Sequence, residues 1–454
     1  MKLGPLVENP KFLSGIHATE YLAQVGIDLP SGFDPPCLVL AQDPNRYEIK
    51  LICDNLDYFN GGFFQGWSIY NLSDFILTQE GELFAFARLE SRDDEYDYRT
   101  ALLKFSGKIE EIKDVVFSGS ELHFNLLELF PVNLQDPQIC KLNGTYILSG
   151  VDAKENQKAV MHFYSLPDIR QMTKAKLLFK GVEGMKNIRI RALQRRKDDV
   201  LCSVTLRPTG YCKAFDVDCG PGKATEGLLA LSEIPSAFRK IENGIEVKEF
   251  FRPNGRCPEQ VWEGNNNSYP LIRKNGHYEI VDADCLNSEL PNYQVFLRHI
   301  AWKTTPPSSN APYREGNRRY IPVLVGKDNL SGDETPYIIV GYRTLFIDDI
   351  ESSSNIEELA KLCRQIDSKD DSREKKVYGP ANLLKEMYIQ GFLTLNDEEK
   401  GSRLLFIGGA GDLHPMCFTT SNILDDIAAD LDQKRISRFG TIDAKIIKKI
   451  VGLI

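Results

Sequence analysis

An aspartate followed directly by a proline stands just before a strand-like run, in the stretch LQDPQICKLNGTYILSGVD. Proline biases the residue before it towards an extended backbone, so we expect Asp136 to be extended at the start of a strand. A carboxyl group placed there can transfer a proton in a hydrolytic or glycosyl-transfer reaction. Because Asp-Pro also opens ordinary turns, a purely structural cap is the alternative interpretation.

A second group of residues with chemical potential is basic. Lys186, Arg189 and Arg191 lie in EGMKNIRIRAL, and Arg207 ends the next strand-like run in VTLRPTG. If these two runs form one hairpin, Lys186 and Arg207 lie at the same edge. Cations gathered at one edge bind phosphate or a carboxylate. The alternative is a set of surface ion pairs, each contributing about 0–1 kcal/mol.

A third polar cluster follows a strand-like run in FARLESRDDE, where Arg88 and Glu90 share one face of an extended segment. A glycosidase of the usual kind needs two carboxyl groups. An inverting phosphorylase needs one acid and a cationic site, because phosphate is already an anionic nucleophile. Asp136 with the basic hairpin edge favours the phosphorylase, while Asp93 and Asp94 keep hydrolysis open.

Repeated hairpins are the elements that must position these residues. Each combines period-2 alternation with a short Gly or Asp turn, and they centre on Gly81, Gly144, Asp198 and Gly276. A late strand, RLLFIGGAGDL, supplies a fifth unit. Recurrence roughly every 50–80 residues is typical of propeller blades with loop insertions. The sequence therefore predicts an all-β fold, a five-bladed β-propeller with helical N- and C-terminal extensions.

The predicted organisation has three segments. Residues 1–55 form a partly helical extension, residues 56–425 form the propeller with a helical insertion near 353–392, and residues 426–454 form a helical tail. Helical apolar spacing supports helices in four places: NPKFLSGIHATEYLAQVGI, IEELAKLCRQI, GPANLLKEMYIQGFL and SNILDDIAADLDQKRI. The basic amphipathic end TIDAKIIKKIVGLI is interpreted as a closing helix, with membrane-surface binding as the alternative.

Composition excludes several classes of function. The chain has 454 residues, 42% of them hydrophobic, and a formal net charge of −9, which argues against nucleic-acid binding. No apolar run is long enough to span a bilayer, and no signal peptide is evident. The ten cysteines are scattered without metal-ligand spacing, so we expect reduced thiols, a cytoplasmic location, no metal and no cofactor.

Seven motifs together resemble one known family. SIYNLSDF, FARLESRDDE, LQDP, GVEGMKNIR, LRPTG, VWEGNNN and FIGGAGD follow in the order seen in the mannosyltransferase/phosphorylases of glycosyltransferase family 108. That family was formerly catalogued as a domain of unknown function. Its members look like five-bladed β-propellers related to the β-mannoside phosphorylases of glycoside hydrolase family 130. The resemblance covers residues 66–413.

The resemblance implies roles for single residues. Asp136 matches the general acid, and Lys186 and Arg207 match phosphate-binding positions, with Arg189 beside them. The mannose subsite is implied for Asn71, Arg88, Glu90 and Asp93, and pocket-lining positions for Asn266 and Asp412. The implied partners are a mannose-containing oligosaccharide and phosphate, a sugar phosphate or a nucleotide sugar.

One motif departs from the family pattern. Relatives carry a histidine after the fourth-blade Asn-Gly turn, whereas this chain reads HYEIVDADC, with Asp282 and Asp284. His277 is too close to the turn to replace it, and His299 lies on the next strand. Carboxylates repel phosphate, so inverting hydrolysis with Asp93 or Asp284 as base, and a non-catalytic sugar-binding or scaffold propeller, stay open beside phosphorolysis.

Overall fold

The computed structural model of the protein describes residues 12–13, 38–40, 45, 47–57, 59–64, 66–91, 94, 96–119, 121–142, 144–153, 158–207, 225–245, 252–253, 262–274, 276–281, 286, 289–303, 318–330, 334–339, 387–410 and 414–432. Strands dominate this part of the chain: β1 (Phe12–Leu13), β2 (Leu38–Leu40), β3 (Tyr47–Ile49), β4 (Leu51–Cys53), β5 (Trp67–Tyr70), β6 (Ile76–Leu77), β7 (Glu82–Ser91), β8 (Tyr98–Lys108), β9 (Leu122–Leu129), β10 (Gln135–Leu142), β11 (Thr145–Asp152), β12 (Val160–Leu166), β13 (Lys176–Lys180), β14 (Lys186–Arg195), β15 (Val200–Arg207), β16 (Thr225–Ala230), β17 (Arg252–Pro253), β18 (Trp262–Lys274), β19 (His277–Ile280), β20 (Tyr293–Lys303), β21 (Arg318–Asp328), β22 (Glu334–Ile339), β23 (Met387–Asp397), β24 (Gly401–Ala410) and β25 (His414–Ser421). The helices are α1 (Ile109–Ser118), α2 (Ile234–Glu242) and α3 (Leu424–Asp432), with 3-10 turns at Phe59–Gly62 and Met172–Lys174.

The strands form five sheets, which are the blades of a propeller. Blade I contains β5 to β9 with β4 at its outer edge, blade II β10 to β13 and blade III β14 to β17. Blade IV contains β18 to β22 with β1 and β2, and blade V contains β23 to β25 with β3. Successive blades contact one another around a common axis. The predicted five-bladed β-propeller is confirmed.

Apolar faces between neighbouring blades hold the ring together. Phe86 of blade I and Leu148 of blade II belong to one buried cluster. Leu89 of blade I and Leu405 of blade V belong to another. Because side chains alternate along a strand, each blade presents one apolar face to each neighbour. Burying each such side chain contributes about 1.5–3 kcal/mol.

An early strand closes the ring. β3 pairs antiparallel with β25, with Ile49 opposite Cys417, so an N-terminal segment supplies the outer strand of the last blade. β2 likewise pairs with β22 in blade IV. The sheets therefore run across the predicted boundary at residue 55, although the division into three segments stays a prediction.

One local prediction needs correction. The helix expected over residues 379–393 is wrong at its C-terminal end, because residues 387–397 form the inner strand β23. Strand pairing there outweighs the local helical pattern. The hairpin predicted at Gly276 is confirmed, because β18 pairs antiparallel with β19, with Lys274 opposite His277, while β18 pairs with β20 on its other side.

The helix predicted in SNILDDIAADLDQKRI is confirmed as α3. Only residues 12–13 of the helix predicted near the N-terminus are described, and they form β1. IEELAKLCRQI and the tail 441–454 lie outside the described residues.

Candidate active site

Three non-glycine residues at the ends of inner strands of blades I, II and III have a left-handed backbone. Asn71 follows β5 with φ 50°, and Asp136 and Asn187, at the second positions of β10 and β14, have φ 49° and 56°. The extended conformation predicted for Asp136 is therefore wrong. The register of β10 shifts between Gln135 and Gln138, and Asn and Asp tolerate the left-handed region better than other residues. Such backbone conformations cluster at functional sites.

The Asp136 carboxyl group lies where blades I and II meet, as part of a group we call the channel mouth (Asn71, Arg88 and Asp136). Asn71 Nδ2 donates a hydrogen bond to Asp136 Oδ1. Arg88 Nη1 lies 3.7 Å from the same oxygen, and the Asp136 side chain is 24% exposed. Asp136 is thus oriented by two neighbours and still reaches solvent.

Asn71 itself is buried, and its Oδ1 has no hydrogen-bond partner among the described residues. A buried acceptor without a partner is costly. A ligand hydroxyl at the channel mouth would supply the missing donor.

Buried contacts fix Arg88 and Glu90 on β7. Their side chains form an ion pair, and the Tyr70 hydroxyl donates to Glu90 Oε2 at 2.6 Å. The Arg88 guanidinium also lies over the rings of Tyr70 and Tyr98, at 5.1 and 5.4 Å from their centroids. The predicted shared face of Arg88 and Glu90 is confirmed. Glu90 is 2% exposed, so it holds Arg88 in place beneath Asp136.

The backbone of blade III brings the predicted anion-binding residues to one edge. Lys186 on β14 lies opposite Arg207 on β15, and β10 of blade II contacts β14. The predicted hairpin is confirmed, whereas the side chains of Lys186 and Arg207 lie outside what the structure describes.

Arg189 links blade III to blade IV. Its Nε donates to the Asn266 carbonyl at 2.9 Å, and Nη2 donates to Asn187 Oδ1 at 3.3 Å. Asn266 in turn donates from Nδ2 to the Ile389 carbonyl of blade V at 2.6 Å. The Asn266 Oδ1 lies 3.1 Å from His299 Nδ1. Arg189 and Asn266 therefore tie three blades together beside the channel mouth.

The remaining predicted positions, Asp93, Asp412, Asp282 and Asp284, lie outside the described residues. No group of three or more His, Cys, Asp or Glu side chains among the described residues has the arrangement of a metal site. Within the same ranges, no helix is both long and apolar enough to cross a membrane.

Below the channel mouth, each of the five blades contributes one polar side chain from its innermost segment to a group whose assembly the sequence did not predict. We call these residues the axial plug: Asp74, Gln138, Arg191, Asn267 and Gln390. Arg191 Nη2 and Asn267 Nδ2 lie 3.1 and 3.2 Å from Asp74 Oδ2. Gln138 Nε2 donates to Gln390 Oε1. The signal available in the sequence is a polar residue interrupting an apolar inner strand, as in SDFIL and YIQGF.

Asp74 carries a buried carboxyl group with a raised pKa. Burial raises the pKa of Asp74 to about 6, against the opposing effects of the Arg191 guanidinium and a hydrogen bond with Tyr269. Arg191 also stacks on the Tyr269 ring, 4.3 Å from its centroid. The sequence analysis grouped Arg191 with Lys186 and Arg189 as candidate anion-binding cations; in the folded chain Arg191 pairs with Asp74.

Comparison with known proteins supports the fold. The family model described as "Protein of unknown function (DUF1861)" matches residues 58–214. Among curated proteins, none matches the sequence significantly. A mannose phosphorylase from Leishmania mexicana, MPT-4, solved with a phosphate ion, has a TM-score of 0.51 at 16% identity and covers 84% of this chain and 89% of its own.

A second solved structure is similar to the same extent. MPT-1, a GDP-Man-dependent mannosyltransferase from Leishmania mexicana, has a TM-score of 0.50 at 14% identity, covering 83% of this chain and 90% of its own. These matches agree with the resemblance that the seven motifs indicated. At such identities they establish a shared propeller fold.

Proposed function

We propose that the protein is an inverting glycosyl-transferring enzyme that moves a mannosyl residue between an oligosaccharide and phosphate or a nucleotide sugar. The observation that carries the proposal is the channel mouth, where Asp136 is solvent-accessible, oriented by Asn71 and next to the blade that brings Lys186 opposite Arg207. A proton donor and a cationic edge on adjacent blades are the two parts that phosphorolysis needs.

In the degradative direction, the Asp136 carboxyl group gives its proton to the glycosidic oxygen as the bond from C1 to that oxygen breaks. A phosphate oxygen held by Lys186 and Arg207 forms the new bond to C1 from the opposite face, which inverts the configuration. In the synthetic direction, the acceptor hydroxyl returns its proton to the Asp136 carboxylate while phosphate leaves. One carboxyl group serves both directions, so no second acid is required.

The sugar would lie against blade I. The Asn71 Oδ1 that lacks a partner among the described residues suits a sugar hydroxyl, and Arg88 and Glu90 form the buried support beside it. We assign Asp93 to the same subsite and Asn266 and Asp412 to the pocket wall, with Arg189 supporting the anion site.

One further observation supports this assignment, and another bears on the expected location. The solved structures with the same fold include one named a mannose phosphorylase and one named a GDP-Man-dependent mannosyltransferase. The four described cysteines are free thiols, in keeping with the expected cytoplasmic location.

The test is acceptor-dependent transfer. Wild type and Asp136→Asn are incubated with mannose 1-phosphate or GDP-mannose, with and without mannose, and phosphate or GDP release and the products are measured. We expect release that depends on acceptor in wild type, and a loss of about 10²–10⁴-fold in the variant.

Equal rates for the two proteins would remove Asp136 as the acid. Turnover of manno-oligosaccharides in the absence of phosphate would replace the proposal with hydrolysis. Binding without turnover of any donor would replace it with a sugar-binding function.

A further inference from the structure

An exposed aromatic group stands on the rim of blade I, outside the residues assigned above. The Phe63 ring is 64% exposed, and its centroid lies 6.4 Å from that of Trp67. We call Phe63 and Trp67 the aromatic platform. Scattered exposed apolar residues are ordinary on a protein surface. Two neighbouring rings held in fixed positions are a better-defined feature.

The platform is built on a rigid base. Phe64 is 1% exposed and packs edge-to-face against both Phe63 and Trp67, with centroids 5.1 and 4.8 Å apart. Arg99 covers part of Trp67, 5.4 Å from its centroid. Gly62 enters this turn with φ 81° and would bring a Cβ to within 3.2 Å of the Asp57 carbonyl. The Phe63 ring is therefore presented to solvent by packed neighbours.

Trp67 of the platform begins the strand β5, which leads to Asn71 of the channel mouth. Asn71 is hydrogen-bonded to Asp136, and β10 and β14 each begin one residue before Asp136 and Asn187. Blade I begins earlier, because β5 starts at Trp67. At about 3.3 Å per residue, Trp67 lies about 13 Å beyond Asn71. A short oligosaccharide spans this distance.

Aromatic rings offer a large, rigid apolar surface whose ordering costs little conformational entropy. A pyranose ring presents C–H groups on its face and hydroxyls at its edge, so it packs on such a surface while its hydroxyls stay in water. The position of Trp67 on the strand that leads to Asn71 favours a distal part of the same substrate over an unrelated partner.

We propose that the aromatic platform is a distal subsite that stacks on a sugar ring of an oligosaccharide whose reacting end lies at Asp136. This inference rests on the proposed function, and it adds a substrate class: oligosaccharides long enough to reach Phe63 are used better than mannose itself. Trp67 packs into the core of blade I as well, so Phe63 is the residue that tests the idea cleanly.

The experiment compares wild type, Phe63→Ala and Phe63→Tyr on mannose and on manno-oligosaccharides of increasing length, with kcat/KM measured for each. Leu330→Ala is the matched control, because Leu330 is 79% exposed in a turn of blade IV. For Phe63→Ala we expect about tenfold lower kcat/KM on the longer acceptors and no change on mannose. Phe63→Tyr and Leu330→Ala should behave as wild type.

Equal losses on short and long acceptors, or no loss on either, would overturn the subsite. If wild type turns over no donor, calorimetry measures the affinity for the same oligosaccharides. The proteins compared are Asp136→Asn with and without Phe63→Ala. Affinity that rises with length and falls on Phe63→Ala would retain the platform while the catalytic proposal fails. Affinity independent of Phe63 would reject the platform.

Discussion

The channel mouth and the axial plug share the innermost segments of blades I and II, where Asn71 and Asp74 are three residues apart and Asp136 and Gln138 are two apart. At the mouth, Asp136 is 24% exposed and Asn71 keeps an acceptor without a partner among the described residues. In the plug, Asp74 is 3% exposed and pairs with Arg191. Polar residues close together in sequence thus differ in role: those near solvent keep groups available for a ligand, and those buried at the axis pair with one another.

The difference lies in how each group meets its hydrogen-bonding needs. The plug joins side chains from all five blades, and it leaves Gln138 Oε1 as its one acceptor without a partner in the described ranges, beside a small cavity suited to a water. The channel mouth keeps one acceptor without a partner among the described residues, Asn71 Oδ1, beside the solvent-accessible Asp136 carboxyl group. We infer that the plug maintains the ring geometry and the mouth binds ligand, so substitutions in the two regions should separate stability from activity.

The largest expected effect is on activity at the mouth. Asp136→Asn should lower transfer by about 10²–10⁴-fold, because the amide cannot donate the carboxyl proton. It should change the free energy of unfolding by less than about 1 kcal/mol, since Oδ1 can still accept from Asn71. Transfer assays and chemical denaturation measure the two quantities.

Asp114→Asn is the control for this prediction, because Asp114 is 80% exposed and remote from the axis. A large loss of stability in Asp136→Asn would show that the mouth is structural after all.

In the plug, Arg191→Met should destabilise the fold by about 3–5 kcal/mol at pH 8, because it leaves the buried Asp74 carboxylate without its cation. At pH 5 the loss should be smaller, since Asp74 can then be neutral. Denaturation at both pH values, with Arg191→Lys as the charge-retaining control, measures this. Identical losses at the two pH values would contradict the pairing.

The pH dependence of the free energy of unfolding is a second test of the buried Asp74 carboxyl group. The pKa of Asp74 is about 6 in the folded protein against 3.8 for an ordinary aspartate, so between these values the folded state binds more protons than the unfolded state. Its contribution to the free energy of unfolding is therefore complete below about pH 4. That contribution falls by about 3 kcal/mol as pH rises to 6 and above.

Asp74→Asn should remove this slope, and Asp114→Asn should keep it. The quantity compared is the difference in free energy of unfolding between each variant and wild type from pH 4 to pH 7. A flat difference for Asp74→Asn would show that Asp74 titrates as an ordinary surface acid.

The smallest effect should come from the packing beside the plug. A Cβ at Gly391 would lie 2.1 Å from Asp74 Oδ1 and 2.6 Å from its Cα, so Gly391→Ala should destabilise by about 1–3 kcal/mol. Thermal unfolding measures the change. An unaltered Tm would mean that blade V can move away from Asp74 at no cost.

Much of the architecture follows from local pattern alone. Alternating apolar residues around Gly144 and Asp198 predict hairpins whose observed registers pair Leu142 with Thr145 and Lys186 with Arg207. Such patterns depend only on residues close in sequence, and so the blades and the position of Asp136 at an inner strand end were predictable. The rest of the fold prediction rested on the family resemblance that the order of the seven motifs indicated.

Ring closure decided what local pattern left open. Residues 387–393 have helical spacing, yet they form a strand because blades IV and I flank that position. Asp136 is left-handed despite Pro137, because a register shift in β10 and contacts with blade I outweigh the local preference. Local propensity is worth only a fraction of the energy that tertiary packing contributes.

From the sequence by itself came a repeated strand pattern, an acid before an inner strand and a basic hairpin edge. Only the tertiary structure decided that Asp74 and Arg191, far apart in the chain, meet at the axis, and that β3 completes the last blade. The physical reason is that the role of a polar residue inside a strand depends on its hydrogen-bond and ion-pair partners. For the axial plug, those partners come from other blades. Depth along the axis then separates the residues that hold the ring from those that face a ligand.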